Sequence, residues 1–388
     1  MKILIIRTFP DKLNLNSYNV QEVGLAKALV KKGHVCDIVL YNGKEKDYIQ
    51  HYKFFNDGEE FEFKIYWMHG LGILKNGFMP SVKKIIPQYD VIQVHEYDQI
   101  MSWNLYTKQI KPTVIYHGPY FDEFAKGYNL KCKIFDKVFL PLRKYKDTVV
   151  ISKSTLATEF LRKKGFQNVT TVGVGLDIDN FGNKTQVDIF EQLNTPNKNI
   201  LYIGKLEERR NLYFLIEVFR KLQKKDSEYK FVIIGDGEKE YRNKFLDSIK
   251  EEISNGSIEY RKKADQGELV KYYRKASILL LASQYEIFGM ILLEAMYFGT
   301  PIISSVNGGS CTLIQNGYNG VIMENFDVDA WVNCIQETLK DNTHLLQMKI
   351  NARKTIEEKY MWDKLVNLFI SEYQSAIDRF KAQHNDER

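Results

Sequence analysis

The amino-acid sequence predicts an α/β protein with two doubly wound, Rossmann-like domains facing a central cleft. Short apolar runs alternate with helical stretches along the chain, a pattern typical of parallel sheets covered by helices on both faces. The length of 388 residues favours two domains. The alternation lapses once, in the polar segment 182–199, which predicts a linker between domains spanning 1–181 and 200–361.

The predicted strands of the first domain share short runs of apolar residues, and they lie at Lys2–Arg7, Cys36–Tyr41, Phe63–Met68, Asp90–His95, Thr113–His117, Thr148–Ser152 and Val169–Val172. Helices are predicted over about 20–32, 98–109, 128–140 and 153–164. Gly33 is placed to end the first of them in a left-handed conformation.

The second domain repeats the pattern, with predicted strands at 200–203, 230–234, 258–261, 278–282 and 301–305. Helices are predicted over about 211–224, 239–252 and 289–298, and Asp265 with Glu268 forms a capping-box-like helix start. Segment 362–388 is predicted to be a C-terminal helix that crosses back to the first domain. Ligands of such sheets bind outside the carboxyl ends of the strands, so the loops there are the candidate sites.

Composition and charge exclude several classes of protein. The 44% hydrophobic and 27% charged residues exclude a disordered chain. The net charge of +6 is too small for a dedicated nucleic-acid-binding protein, and it divides into 27 − 20 = +7 for residues 1–189 and 28 − 29 = −1 for residues 190–388. Four scattered cysteines and no apolar run of about 18 residues predict a cytoplasmic protein with reduced thiols and no membrane span.

Two glutamates mark the most informative segment. Glu294 lies in the middle of an almost wholly apolar helix, where an ionised carboxylate needs a hydrogen-bonding partner. Glu286 precedes this helix, beside N–H groups that favour anions. The pair indicates a site at one strand end, and the structural alternative is an internal salt bridge with a helix cap.

The segment from Glu286 to Pro301 resembles the E-x7-E signature of the retaining, GT-B-fold glycosyltransferases of family 4. Further short motifs are similar to those of the family in the same order: Gly33-His34, Tyr116-His117-Gly118, Val174-Gly175-Leu176-Asp177, Gly204-Lys205-Leu206 followed by Arg209-Arg210-Asn211, and Gly235-Asp236-Gly237. The matches run from about residue 20 to Trp362. The resemblance implies a GT-B fold and transfer of a sugar from a nucleoside diphosphate with retention of configuration.

The resemblance also assigns the donor diphosphate to cationic side chains. Without a metal, cations and helix N-termini must stabilise the charge on the leaving diphosphate. Lys205 and Arg210 are matched to this role together with Gly289, and Arg209 replaces Arg210 if the register differs by one. The ordinary alternative for this cluster is a solvated charged turn.

The remaining roles follow from the same resemblance. It places Glu294 on the ribose hydroxyls of the donor and Glu286 beside the donor sugar as a catalytic residue, with the backbone of Phe288 and Gly289 contacting the sugar. It places His117 in the cleft, where it helps to position donor and acceptor. We expect front-face attack rather than a covalent intermediate, with the leaving phosphate taking the acceptor's proton.

Two positions depart from the family pattern. Asn16-Ser17 replaces the glycine pair expected in the loop after the first strand, and these side chains are predicted to approach the phosphate instead. Gly308-Gly309 is present, but Thr312 stands where the family has a glutamate, which leaves recognition of the donor sugar open.

The sequence predicts neither a metal nor a cofactor. Of the two Asp-x-Asp triplets, Asp177-Ile-Asp179 coincides with a loop motif of the family, and Asp327-Val-Asp329 with a helix cap. No Gly-x-Gly-x-x-Gly follows a predicted strand, so a dinucleotide has no support.

Residues 126–146 hold seven Lys or Arg against one acid, interleaved with apolar residues at helical spacing. An ordinary cover helix with a solvated lysine face is one interpretation. The other is an acceptor or membrane surface at Lys131, Lys133 and Lys137, which would contact anionic lipid or a polyprenyl-linked glycan at the inner face of the cell membrane.

The leading hypothesis is a metal-independent retaining hexosyltransferase that uses a nucleoside-diphosphate sugar and a glycan or polyprenyl-linked acceptor in bacterial surface polysaccharide synthesis. The alternatives are a GT-B-fold sugar-nucleotide epimerase or hydrolase and a non-catalytic glycan-binding protein. Nucleic acid is not an expected partner.

Overall fold

The computed structural model describes residues 1–15, 19–73, 76–120, 126–178, 181 and 198–385. The chain divides into two compact units, the first comprising Met1–Asp177 with Met361–Arg388 and the second Ile178–Tyr360. Most of the predicted linker, 182–197, lies outside the described residues, and its last residue, Asn199, already begins a strand. Residues 178–181, predicted in the first domain, belong to the second unit.

The first unit is built on one sheet, whose described strands run in the order β10-β9-β8-β7-β1-β2-β4-β3. Neighbouring strands are parallel except for the antiparallel pair β3 and β4, and β5 and β6 form a separate hairpin. The strands are β1 (Lys2–Ile6), β2 (Val35–Tyr41), β3 (Tyr48–Asn56), β4 (Glu59–Met68), β5 (Leu71–Ile73), β6 (Asn76–Phe78), β7 (Val91–His95), β8 (Thr113–His117), β9 (Val149–Ser152) and β10 (Asn168–Thr171).

Central strands of this sheet are buried along almost their whole length, which is why short apolar runs predicted them. The helices between them begin and end within a few residues of the predicted limits: α1 (Gln21–Lys31), α2 (Ile100–Lys108), α3 (Lys126–Val138) and α4 (Thr155–Lys163). Helix α4 starts at a serine cap, where Ser154 Oγ accepts the Ala157 N–H at 3.2 Å.

Strand β3 was missing from the sequence prediction. It is the edge strand, and its residues alternate between exposed and half-buried positions, so it lacks the apolar run of a central strand. The turn that joins it to β4 does carry a signal, because Asp57 (φ 50°) and Gly58 (φ 84°) both adopt the left-handed conformation of a tight two-residue hairpin turn.

The second unit contains a sheet whose described strands are all parallel, in the order β13-β12-β11-β14-β15-β16. Two parallel, helix-covered sheets confirm the predicted α/β class. The strands are β11 (Asn199–Ile203), β12 (Lys230–Ile234), β13 (Ile258–Arg261), β14 (Ile278–Leu281), β15 (Ile302–Ser305) and β16 (Val321–Met323).

The helices of the second unit include the predicted capping box, in which Asp265 Oδ1 accepts the Glu268 N–H at 2.7 Å and Glu268 Oε2 accepts the Asp265 N–H at 3.2 Å. Their bounds are α5 (Leu212–Lys225), α6 (Lys239–Ser248), α7 (Lys250–Ser254), α8 (Gln266–Lys275), α9 (Met290–Tyr297), α10 (Ser310–Leu313), α11 (Val328–Lys340) and α12 (Asn342–Lys359).

The last helix, α13 (Trp362–Asn385), is part of the first unit. The Trp362 indole at its start is buried against two backbone segments that only glycine allows so close. A Cβ at Gly24 would lie 2.2 Å from Trp362 Nε1, and a Cβ at Gly175 would lie 2.3 Å from Trp362 Cδ2. Further along, Tyr373 donates from its hydroxyl to Gln93 Oε1 at 2.7 Å under the sheet. Helix α13 is therefore anchored in the core at two points along its length, by Trp362 and by Tyr373.

We expect Gly175→Ala to destabilise the first unit by roughly 1–3 kcal/mol, because the rigid indole must move to admit the new methyl group. Urea denaturation of the variant measures this loss. In a Trp362→Leu background the same substitution should cost less, since the indole is absent. An equal cost in both backgrounds would contradict the close-packing explanation.

Candidate active site

Two loops meet at the carboxyl ends of neighbouring strands β11 and β14 in the second unit. The first loop runs from Gly204 through a short 3₁₀ turn, Glu208–Arg210, and Asn211 (φ 53°) starts α5 in a left-handed conformation. The second loop carries Glu286 and leads into α9. The Gln284 N–H donates to the Arg209 carbonyl at 2.9 Å, which joins the two loops through their backbones. The predicted cationic loop and the predicted glutamate loop are therefore neighbours.

Arg210 and Glu286 form an ion pair across these loops, and Arg210 Nη1 also donates to Ser283 Oγ at 3.1 Å. Burial lowers the pKa of Arg210, but the charge and hydrogen bond of Glu286, together with Tyr202 and Glu207, outweigh it and the net pKa is raised. Both side chains keep a small exposed fraction, 13% for Arg210 and 15% for Glu286. The buried Arg210 Nε, 3.5 Å from Glu207 Oε1, has no hydrogen-bond partner among the described residues. The guanidinium thus holds Glu286 and keeps a small part of its surface exposed to solvent.

Arg209 binds the same loop through a different contact. Its Nη1 donates to the Tyr285 carbonyl at 2.6 Å and lies 3.9 Å from Glu286 Oε2. Lys205 is exposed and lines a cavity of about 580 Å³ at the ends of β11 and β12, together with Asp236 and Tyr241. Of the two cations matched to the diphosphate, Arg210 thus contacts the glutamate loop, whereas Lys205 faces a separate opening.

Glu294 occupies the predicted buried position in α9, with only 4% of its surface exposed. Its Oε2 accepts a hydrogen bond from the Tyr273 hydroxyl at 2.7 Å. The partner that the sequence required for this carboxylate is therefore a tyrosine on α8. Its proposed role on the donor ribose stays a prediction.

Backbone contacts fix the loop between the two glutamates. Gly289 (φ 79°) precedes α9 in a left-handed conformation, and the Gly308 N–H donates to the Glu286 carbonyl at 2.9 Å. A Cβ at Gly309 would lie 1.6 Å from the Phe288 carbonyl oxygen. The glycine pair therefore supports the glutamate loop through close approach. Phe288 as a whole is buried, and its predicted backbone contact with the donor sugar stays a prediction.

His117 differs from its expected position, because it is completely buried at the end of β8. Its Nδ1 lies 2.5 Å from Glu96 Oε2, and its ring stacks on Phe160 with centroids 6.0 Å apart. In the described conformation His117 is therefore an internal partner of Glu96 rather than an open side chain.

Glu96 follows β7 in the left-handed conformation (φ 58°), which is uncommon for a residue with a side chain. Burial raises the pKa of its carboxyl, but the charge and hydrogen bond of His117, the Lys153 ammonium and the Gly118 N–H outweigh burial and lower the pKa to about 2. The Gly118 N–H donates to Glu96 Oε2 at 3.1 Å. One carboxylate thus holds the ends of two strands together.

The sequence interpretation missed Glu96 and Lys153, although each is the residue directly after a predicted strand. It also missed a neighbouring network at the end of β1. There Arg7 donates two hydrogen bonds to the Asp11 carboxylate, at 3.0 and 2.9 Å, and its Nε lies 3.5 Å from Glu22 Oε1, which is 3.7 Å from His95 Nδ1. Attention to every strand-end charge, rather than to motif matches, would have found both groups.

The three lysines of the predicted acceptor or membrane surface differ in how exposed they are. Lys131 is half-buried, and its Nζ lies 3.0 Å from Oδ2 of the buried Asp98, so its charge is paired within the first unit. Lys133 and Lys137 are exposed. Asn16 and Ser17, predicted to approach the phosphate, lie outside the described residues.

The second unit is similar to known proteins. Residues 184–355 match the family model of glycosyl transferases group 1. Over this region the chain is similar to that family. An uncharacterized glycosyltransferase of Methanocaldococcus jannaschii is 28% identical over 184 residues, 47% of this chain and 46% of that protein. The lipopolysaccharide 1,2-N-acetylglucosaminetransferase of Salmonella typhimurium is 27% identical over 222 residues, 54% of this chain and 58% of that protein. The chain spans about half the length of the curated relatives it matches.

Solved structures resemble this chain over nearly its full length. Sucrose-phosphate synthase from Thermosynechococcus elongatus has a TM-score of 0.69 at 16% identity, covering 98% of this chain and 100% of that one. Anabaena HepE, solved in complex with UDP, has a TM-score of 0.67 at 15% identity, covering 97% and 100%. These likenesses confirm the predicted GT-B fold.

The described residues contain neither a membrane-spanning helix nor a cluster of metal ligands. None of the helices there is both long and apolar enough to cross a bilayer. Within the described ranges, no group of three or more His, Cys, Asp or Glu side chains is placed to hold a metal ion. Metal independence stays a prediction.

We expect His95 to make the first unit less stable as the pH falls from about 6.5 to about 4. Burial lowers the pKa of His95 to about 4 from its ordinary value of 6.5. Between these values the unfolded chain binds more protons, so the free energy of unfolding rises with pH across this window.

Substituting His95→Gln should therefore flatten the dependence of the unfolding free energy on pH between 4 and 6.5, as measured by urea denaturation. His69→Gln, which changes an exposed histidine of the same unit, serves as the control. If wild type and His95→Gln gave the same slope, His95 would not be the group that titrates.

Proposed function

We propose that this protein transfers a hexosyl group from a nucleoside-diphosphate sugar to a glycan or polyprenyl-linked acceptor, with retention of configuration and without a metal. The observation that carries the proposal is the partly exposed Arg210–Glu286 pair at the strand ends of a unit that matches the group 1 family model. A permanent cation is needed where the leaving diphosphate gains charge, and Arg210 is held in place for it.

The chemistry assigned to the second unit follows from these contacts. Arg210 offers the exposed part of its guanidinium to a phosphate oxygen, and Lys205, exposed on the same loop after β11, adds a second charge. Glu294 would accept from the ribose hydroxyls while Tyr273 holds its other side. The N–H of Gly289, at the start of α9, would meet the sugar or phosphate.

We propose that Glu286 positions the donor sugar and does not form a covalent intermediate. A nucleophilic carboxylate must approach the anomeric carbon freely, whereas Glu286 is bound to the Arg210 guanidinium. The leaving phosphate then takes the proton of the acceptor hydroxyl as the new bond forms, which accounts for the proton without a separate base.

The first unit is proposed to bind the acceptor. In support, one relative is named a lipopolysaccharide 1,2-N-acetylglucosaminetransferase, which makes bacterial surface polysaccharide a suitable context.

UDP is the first donor nucleotide to test, since a structural neighbour was solved with it. His117 would act from its buried site by ordering the segment after β8 through Glu96.

We expect Arg210→Gln to weaken binding of the preferred nucleoside diphosphate about tenfold or more, because a hydrogen bond between charged groups contributes roughly 1.5–3 kcal/mol. Isothermal titration calorimetry with UDP, GDP and ADP measures this. The matched control is Arg220→Gln, which removes an arginine that also pairs with a glutamate, Glu252, away from the site. Equal affinities of wild type and Arg210→Gln, or no binding of any of the three by wild type, would overturn the donor site.

Transfer itself is tested by donor consumption with and without a panel of glycan and polyprenyl-linked acceptors. We expect consumption to require an acceptor, to persist in EDTA, and to give a product whose anomeric configuration, determined by NMR, matches the donor. Loss of donor without an acceptor would instead indicate an epimerase or hydrolase. Donor binding without any turnover would favour a glycan-binding protein.

A further inference from the structure

The outer face of α3 presents a line of exposed apolar side chains. Leu130, Ile134 and Val138 follow one another at intervals of four residues, and Leu142 continues the line in the short 3₁₀ turn after the helix. Between 50% and 65% of the surface of each residue is exposed. We call these four residues the outer stripe. Single exposed apolar residues are ordinary, but four in a line form a patch that calls for a partner.

The fold does not need the outer stripe, because a different face of α3 packs on the core. Phe135 is buried, with its ring centroid 5.8 Å from Tyr97 and 5.0 Å from Phe139, which in turn lies 5.4 Å from Trp103. Cys132 is fully buried on the same inner face. The helix therefore has two apolar faces, and among the described residues only the inner one is covered.

The surroundings of the outer stripe are cationic. Exposed Lys133 and Lys137 lie on α3, and exposed Lys144 and Lys146 follow the stripe in the chain. The single acid of segment 126–146, Asp136, is engaged by Lys164 in an internal ion pair. An open groove of about 1300 Å³ shares Lys133 and Leu142 with this surface and is lined by more basic than acidic side chains.

We propose that the outer stripe and its lysines dock on the surface of an anionic bilayer. Apolar side chains flanked by lysines are suited to a surface whose outer layer is negative and whose interior is apolar. Two copies of this chain would instead bring two cationic faces together, so charge complementarity favours lipid. The inference extends the proposed function and rests on it only for the link to a lipid-linked acceptor, which would be presented at the same surface.

The test is co-sedimentation of the full chain with vesicles of phosphatidylcholine, with and without phosphatidylglycerol, at low salt. We expect binding to the anionic vesicles, and we expect Ile134→Ser combined with Val138→Ser to weaken it roughly tenfold or more. The matched control, Leu71→Ser with Ile73→Ser, removes two equally exposed apolar residues from the β5–β6 hairpin and should bind as wild type does. Lys133→Gln with Lys137→Gln should reduce the preference for anionic vesicles and its dependence on salt.

Three results would overturn the proposal: no vesicle binding by wild type, equal binding by the stripe variant, or dimers in ultracentrifugation that depend on the stripe. Nucleoside-diphosphate binding by the stripe variant, measured by calorimetry, separates this outcome from failure of the donor site. Because the substituted residues are exposed, the melting temperature of the variant should stay close to that of wild type, which shows that it folds.

Discussion

The central strands of the two large sheets are parallel and covered by helices, and this burial confines charged chemistry to the ends of the strands. A charge placed within β1, β8 or β14 would have to be desolvated without a partner, at a cost that the fold does not tolerate. The loops after the strands are the nearest positions where the chain can hold ions beside the core. Arg210 and Glu286 lie at such positions in the second unit, and Glu96 and Lys153 do so in the first. The same constraint therefore produces a charged cluster in each unit.

The two clusters differ in how far they are closed to solvent, and this difference separates their chemistry. In the second unit, Arg210 and Glu286 each keep part of their surface exposed, so a ligand oxygen can reach the guanidinium. In the first unit, His117 and Glu96 are both buried, and the Glu96 carboxylate also accepts a hydrogen bond from the Gly118 N–H. A buried hydrogen-bonded pair of this kind contributes by fixing the backbone around it, because removing His117 would leave the buried Glu96 carboxylate without that partner. The left-handed backbone at Glu96 is consistent with this, since strain of that kind persists only where the surroundings hold it.

The sequence allowed prediction of those elements whose cause is local. Strand β12 has the predicted limits because an apolar run fills most of it, and β13 has them because its apolar and charged residues alternate as in a half-buried strand. The α8 capping box follows from two residues three positions apart. Edge strand β3 was missed because half of its residues face solvent, which leaves only a turn as evidence.

The candidate site was predictable to the same degree. The match of Arg210 and Glu286 to motifs placed both side chains in one cluster, although 76 residues separate them. The pairing of Lys131 was not predictable, because its partner Asp98 lies on another loop and only the tertiary fold joins them. The division of α3 into two apolar faces was not predicted either, because it too depends on tertiary packing. Adjacent residues such as Ile134 and Phe135 fit one broad helical stripe, and only packing decides which of them is covered.

These contacts show where the excess positive charge of the first half of the chain lies. Much of that charge is balanced inside the first unit, where Lys27 lies 3.5 Å from Asp177 and other cations hold strand-end acids. Segment 126–146, with seven basic residues and one acid already engaged by Lys164, retains an unbalanced charge. Exposed charges act over about 8–10 Å at physiological salt, whereas apolar contacts act only on touching. A surface that combines the two, as α3 does, would be oriented by its lysines before its apolar side chains made contact, so the direction of approach and the strength of contact are set by different residues.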